Sequence, residues 1–296
     1  MNGIDIEKAL TTAEGQALIP EKIDPQLVEL ADKQTPLRKL IKRIKWTSLE
    51  YRWNVRTALA GASAYSETDD FNAGQSTISQ RVVQIKMLKA EGAVSNLMRD
   101  VSKDFVNALQ IEIEGATKAL ANLEEQLDII GDSDSNSKEY DGLNKQITNT
   151  VDAAGSSLTM DILDEAIQKV IDANGKPSLI VLAPRDFANL KKDIRGKIDL
   201  TYDEVVKGIT LPKYYNIPVV TSPFIPTNLS YGATPTSDHS YGFVLDLDWI
   251  VKPVVRDVSY EEVKATTDSV AFRLKEYLAL AVKAPEMQVK IINLGA

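Results

Sequence analysis

The sequence has no cysteine and one histidine, His239. Without thiols there are no disulfides, thiolate metal sites, iron–sulfur clusters or thiol nucleophiles. A lone imidazole leaves no His-paired metal site and no His-to-His proton relay within one chain. No stretch approaches the ~18 consecutive apolar residues of a membrane-spanning helix. The N-terminal run, Met1 to Leu10, lacks the charged-then-apolar order of a signal peptide. Neither glycine-rich phosphate motif, G-x-G-x-x-G or G-x-x-x-x-G-K-S/T, occurs. These absences predict a soluble intracellular protein with no cofactor, no membrane partner and no recognisable catalytic motif. What is present is ordinary: 296 residues, 44% hydrophobic and 26% charged, the balance of a globular protein. At this length one or two domains bury about three quarters of the surface that the unfolded chain exposes.

Charge is unevenly placed. The net charge is −8, yet Lys33, Arg38, Lys39, Lys42, Arg43, Lys45, Arg52 and Arg56 face one acid, Glu50, between residues 33 and 56. That window carries +7; the other 26 bases and 41 acids leave −15 elsewhere. A basic arm on an acidic body meets something negative: nucleic acid, a membrane surface, or the acidic body of another copy. Leu37, Leu40, Ile41 and Ile44 fall at i, i+3, i+4, i+7 behind Pro36, which predicts a basic amphipathic helix over 36–45. Such a helix suits a membrane surface, a nucleic acid or a partner's groove. It also suits an arm packed on its own protein with its bases in solvent.

The clearest strand follows. Leu49, Tyr51, Trp53 and Val55 alternate with Glu50, Arg52, Asn54 and Arg56. A second extended run, Arg81 to Met87, puts Val83, Ile85 and Met87 on one face, and residues 57–80 between them have no strong apolar run. This predicts a long two-stranded finger, a shape that is marginal alone in water. Phe105, Leu109, Ile113, Ala116, Leu120, Leu123, Leu127 and Ile130 then recur at helical spacing. One helix is expected over 102–130, with Ser102 as N-cap, Gly131 beyond its end, and Gly115 inside for a close approach. Residues 132–138 read as a linker. Helix and strand alternate afterwards like an α/β layer, with 158–171 and 184–192 helical and 178–183, 218–221 and 241–246 extended. Residues 222–240 read as a loop, and strands return over 250–255, 270–282 and 288–294.

Candidate chemistry is thin. His239 sits in the polar run Thr236 to Ser240, where consecutive residues cannot face one another as a triad; a solvated loop histidine is expected. Asp132, Asp134 and Asn136 match half of a calcium loop, but Ser137 and Leu143 occupy its glycine and glutamate positions. That leaves a linker with incidental acids. The pair Glu124–Glu125 reads as the solvated face of the long helix, and Glu261–Glu262 as a strand connection.

The order of parts, with three local matches, resembles the major capsid proteins of tailed double-stranded DNA bacteriophages, the Hong Kong 97-type fold. Leu123-Glu-Glu-Gln-Leu-Asp-Ile-Ile-Gly-Asp132 looks like that family's spine-helix ending. Lys138-Glu-Tyr-Asp-Gly-Leu143 followed by Leu158-Thr-Met-Asp-Ile-Leu163 looks like the beginning of its axial domain, and Ser178 to Leu190 like its central strand and next helix. The resemblance implies an α+β chain with an N-terminal arm (1–45), an extended β-hairpin loop (46–88), a peripheral domain with the spine helix (89–145), an α/β axial domain (146–249), and a return to the peripheral domain and final strands (250–296). It further implies a virion structural protein, made in the host bacterial cytoplasm, that assembles through pentamers and hexamers into an icosahedral shell around packaged double-stranded DNA. Its partners are a separate scaffolding protein, a portal and a decoration protein.

On this reading Leu49, Tyr51, Trp53 and Val55 are inter-subunit contacts, since full burial of the four is worth about 6–12 kcal/mol at most. Arg38, Lys39, Lys42, Arg43 and Lys45 form a lumen-facing basic arm. Some family members join a lysine of the extended loop to a neighbour's asparagine. No lysine occurs between Trp46 and Ile85 here, and an arginine guanidinium stays protonated, so non-covalent contacts are expected. Encapsulin nanocompartments share the fold and are the near alternative; an α/β enzyme with an inserted hairpin is the distant one.

Overall fold

The computed structural model describes residues 35–296 apart from 63, 65, 68–73, 103–106, 196–200, 207–208, 232–235 and 265–267. Lys33 and Phe105, and with Lys33 the rest of the arm up to residue 34, lie outside the described residues.

Among the described residues the first elements are α1 (Pro36–Leu40) and β1 (Lys42–Lys45); the chain then runs out and back as β2 (Glu50–Ala58) and β3 (Thr77–Gln84), and returns along β4 (Lys86–Ser95). Two helices follow, α2 (Asn96–Ser102) and α3 (Ala108–Ile130), then the single turn α4 (Leu143–Gln146). The second half opens with β5 (Asn149–Asp152), α5 (Met160–Asp172), β6 (Leu179–Leu182) and α6 (Pro184–Ile194). It continues through β7 (Thr201–Val206), β8 (Ile209–Tyr214), β9 (Ile217–Thr221), β10 (Leu229–Tyr231) and β11 (Thr236–Leu245). It ends with β12 (Ile250–Val263), β13 (Ser269–Leu278), β14 (Ala281–Val282) and β15 (Val289–Leu294).

Three sheets organise these strands. One has the order β1-β12-β13-β4 with β14 beside β12; α3 lies against its β4 strand. A larger one runs β5-β15-β11-β6-β9-β8-β7 with β10 on β11. Its centre, β6, is fully buried, as expected of a continuous apolar run between other strands. The finger, β2 paired with β3 from Glu50↔Gln84 to Ala58↔Thr77, is a sheet by itself.

Four expectations need correction. The helix predicted over 36–45 stops at Leu40, and Lys42–Lys45 pairs in parallel with Val251–Val254 of β12. A helix that short is marginal, and a sheet edge offers unpaired backbone groups to any strand that can reach it. The spine begins at Ala108, where Asn107 Oδ1 accepts the Gln110 N–H at 3.3 Å, and runs 23 residues to Ile130. Its length is then about 34 Å. Residues 222–240 contain β10 and the start of β11, and His239 is 7% exposed beside Tyr231. Finally, β15 lies between β5 and β11, so the last strand belongs to the larger sheet rather than to the one holding β12 and β13.

Gly131 ends α3 with φ −50° and ψ 137°, an extended conformation that any residue can adopt. A Cβ there would stand 2.3 Å from Tyr140 O and 2.6 Å from Leu127 O. Glycine is needed for proximity, not for a left-handed turn. Gly115, in contrast, has nothing within 4 Å of its Cβ position, so the close approach expected there is absent.

Candidate functional site

The basic arm and the spine helix meet in a buried charge hub. Glu124, Glu125 and Asp128 of α3 are all fully buried, as are Lys252 of β12 and Glu276 of β13. Lys252 Nζ lies 2.8 Å from Glu124 Oε1 and bonds Asp128 Oδ2. Arg43 Nη2 reaches Glu124 Oε1 at 2.6 Å, while its Nη1 reaches Glu276 Oε1 at 2.7 Å and the exposed Asp257 Oδ1 at 2.9 Å. Arg38 Nε stands 2.6 Å from Glu124 Oε2, an ion pair whose N–H is not aligned for a hydrogen bond. The Tyr140 hydroxyl donates to Asp128 Oδ1 at 3.0 Å. Glu125 is different: it accepts the backbone N–H groups of Leu37 and Arg38 at 3.2 and 3.1 Å and the Ser222 hydroxyl at 3.3 Å.

Charge states follow from these contacts. Burial alone would pull the Lys252 ammonium down, but Asp128 and Glu124 carry it above its ordinary value. Burial likewise opposes ionisation of Glu124, and the cations Lys252, Arg43 and Arg38 outweigh it, holding that carboxyl below its usual range. Glu276 goes the other way, raised by burial and by the Glu124 charge.

The solvated face expected at Glu124–Glu125 is therefore corrected: both acids are interior, Glu124 against the arm's Arg38 and Arg43 and Glu125 against its backbone. A sequence signal for this exists. Glu124 stands four residues after Leu120 and three before Leu127, on the apolar stripe itself, and Lys252 interrupts the apolar run Ile250 to Val255. The five predicted arm bases divide in consequence. Arg38 and Arg43 are half-buried against their own chain's carboxylates, whereas Lys39, Lys42 and Lys45 are exposed.

Near the spine's end, Lys145 Nζ bonds Asp132 Oδ1 at 2.5 Å, Asp134 Oδ2 at 2.8 Å and Asp141 Oδ1 at 3.1 Å. The loop that resembled half of a calcium site thus encloses an ammonium. Hydrogen bonds from Lys145 and Ser135 hold the Asp132 carboxyl down at about 2.

The finger is seated on its own body. Tyr51 is 6% exposed, packed with Val251 and Ala281 and with the half-buried Trp46, Trp53 and Val83. Trp53 Nε1 donates to Lys283 O at 3.0 Å, and Arg81 Nη1 lies 3.2 Å from Glu286 Oε2. The expectation that Leu49, Tyr51, Trp53 and Val55 are all covered by a neighbour rests on a strand that leaves its own core. For Tyr51 and Trp53 that premise is corrected: this chain covers them. Val55 is half-buried, and Leu49, just before β2, is 81% exposed. The opposite face of the hairpin carries Ile78 and Val82, 60% and 53% exposed.

A family model described as the phage capsid family matches residues 15–291. The chain belongs to the phage capsid family. Its fold is the Hong Kong 97 type, and the family's role is that of a structural shell protein. Among solved structures, the capsid of a native GTA particle aligns over 98% of this chain and 99% of that one at 14% identity, TM-score 0.74. Mycobacterium phage Bobi aligns over 96% and 98% at 16% identity, TM-score 0.71. A holo-SrpI encapsulin complex from Synechococcus elongatus PCC 7942 aligns over 97% and 96% at 14% identity, TM-score 0.72. No curated protein sequence matches the chain.

In this capsid-family subunit the intrachain seat of Trp53 changes what its loss should do. Truncating a fully buried Trp costs ~3–5 kcal/mol, and Trp53 is half-buried, so Trp53→Ala is expected to cost the isolated subunit about 2 kcal/mol. Urea denaturation before assembly measures it; an unchanged midpoint would remove Trp53 as an intrachain anchor.

Proposed function

We propose that the protein is the major capsid subunit of a tailed double-stranded DNA phage, and that it closes through pentamers and hexamers into an icosahedral shell. The observation carrying this reading is the finger. It pairs with neither large sheet, and it leaves Leu49, Leu59, Ile78 and Val82 more than half exposed. Exposed apolar rows of this kind mark interaction surfaces. Leu49 and the Ile78–Val82 face are the inter-subunit contacts on this reading, with Val55 at their margin. Tyr51 and Trp53 act indirectly by fixing the finger's direction.

Packaged DNA is met, without sequence preference, by Lys39, Lys42 and Lys45; Arg38 and Arg43 are already engaged. A separate scaffolding protein, a portal and a decoration protein complete the set of partners, and synthesis takes place in the host bacterial cytoplasm. The encapsulin alternative shares the fold, and the contents of the particle separate the two. The α/β enzyme alternative is set aside, since family membership covers the chain from residue 15 to 291.

Light scattering across protein concentration and salt, followed by negative-stain imaging, tests the proposal. Closed particles are expected. A monomer that persists under every condition, including with a scaffold present, would overturn it; particles filled with enzyme cargo would favour the nanocompartment.

A further inference from the structure

The larger sheet and the spine's end enclose a groove of about 530 Å³. Ile130 of α3, Leu229 of β10 and Ile292 of β15 give it apolar walls, and no Asp, Glu, Lys or Arg lines it. Tyr241 of β11 also lines it, 4% exposed, and the Tyr241 hydroxyl has no hydrogen-bond partner among the described residues. A buried donor left unpaired is rare and points to a missing partner. Asn144 and Asn293 line the groove with one end of each amide engaged. Asn144 Oδ1 accepts from Lys290 Nζ at 3.0 Å, and Asn293 Nδ2 donates to Asp152 Oδ1 at 2.8 Å. That leaves an amide N–H on one and an amide oxygen on the other, the two kinds of group that a peptide backbone satisfies. The walls are held from behind. Arg185 Nη1 donates to Asp238 O at 2.7 Å and Thr227 O at 3.4 Å, and its Nη2 to Ser240 Oγ at 3.1 Å and Leu294 O at 3.3 Å. One guanidinium thus ties the segment before β10 to β11 and β15, so the groove is preformed.

The finger offers a segment that fits. From Thr57 to Ser66 the chain has no charged residue, although 26% of all its residues are charged. Arg56 to Ala62 are all exposed, Leu59 by 75%, and Leu59 to Ala62 lie beyond β2 with their backbone free of the ladder. A Cβ on Gly74 would stand 2.8 Å from Gly61 Cα, so the two legs of the hairpin close together just past Leu59 and fix it. The finger is anchored to its own body through Trp53 and Arg81. From there the six residues Asn54 to Leu59 carry the tip about 20 Å further. We propose that Leu59–Ala62 of one subunit docks in this groove of the next, with Leu59 against Ile130, Leu229 and Ile292 and the tip's backbone on Asn144, Asn293 and Tyr241. A charged segment buried there would find no counter-charge, so an uncharged tip and an uncharged groove belong together. Tip and groove are different surfaces, so the contact is head-to-tail and closes into rings. The inference rests on the capsid reading above and names the partner of the finger's tip.

Because the chain has no cysteine, an engineered cross-link tests the contact. Leu59→Cys with Ser230→Cys places one thiol on the tip and one on the groove, and a disulfide forms only where the two Cα atoms come within about 7 Å. The full-length variant is oxidised under assembly conditions, imaged by negative stain, and run on a non-reducing denaturing gel. Bands beyond the dimer are expected, ending at the five or six chains that pentamers and hexamers require. They should be about fivefold or more stronger than in Leu59→Cys with Tyr215→Cys, whose second thiol is exposed but outside the groove. Tip-to-tip pairing stops at the dimer and overturns the proposal, as does a monomer bridged within itself. Closed particles without bands beyond the dimer overturn this inference and leave the capsid reading standing. The ladder without closed particles does the reverse, and the absence of both overturns both.

Discussion

Lys252→Met is expected to cost the subunit about 3–5 kcal/mol, the range for removing one partner from a buried ion pair. Methionine approximates the lysine stem and fills its space, so the loss is one of charge rather than of volume. Two carboxylates, Glu124 and Asp128, lose their shared ammonium in a site with no solvent access. Arg38 and Arg43 still pair with Glu124, but Asp128 keeps only the Tyr140 hydroxyl. Asp128, already pushed up to about 6 by burial despite Lys252, must rise further in the variant. Such a group is tolerated while protonated, so the penalty should shrink at pH 5 and be largest near pH 8. Urea denaturation at both pH values measures it. A loss below about 1 kcal/mol at pH 8 would mean that the hub rearranges around the missing charge.

The sequence disclosed the elements whose patterns have one solution and hid those with two. The finger's strands show strict alternation, and β6 is an unbroken apolar run flanked by Gly175, Pro177 and Pro184; both are legible. Leu37, Leu40, Ile41 and Ile44 fit a helix, yet the latter two also suit a strand, and the edge of β12 decides between them. The hub is hidden in the sequence because adjacent acids on a helix are usually solvated. Burial of Glu124 depends on Arg38, Arg43 and Lys252, which arrive from 81 to 128 residues away in sequence. Local composition contains no trace of that pairing beyond the two interruptions of apolar stripes. The finger's seat is hidden for the same reason, since Trp53 finds its acceptor on Lys283.

Gly142→Ala is expected to destabilise by about 3 kcal/mol, the upper part of the range for overpacking. A Cβ on Gly142 would lie 2.4 Å from Leu127 O, 2.8 Å from Gly131 N and 3.0 Å from Asp128 O. All three are backbone atoms, so no side chain can swing away, and the end of the spine must move instead. The Gly142 N–H donates to Gly131 O at 2.9 Å, and that bond ties the end of α3 to the segment leading into α4. Moving it displaces Asp128, and with it the carboxylate that holds Lys252. Gly142→Ala and Lys252→Met should therefore be non-additive, with a coupling in the ~0.5–3 kcal/mol range seen for residues sharing one network. Gly115→Ala in the same helix supplies the contrast. Its Cβ meets nothing within 4 Å, so helix propensity alone operates and should stabilise by up to ~1 kcal/mol. Denaturation midpoints for the two alanine variants should thus shift in opposite directions. If Gly142→Ala matches the parent, the spine's end is free to relax, and the close packing of Gly131 and Gly142 is not what fixes Asp128 against Lys252.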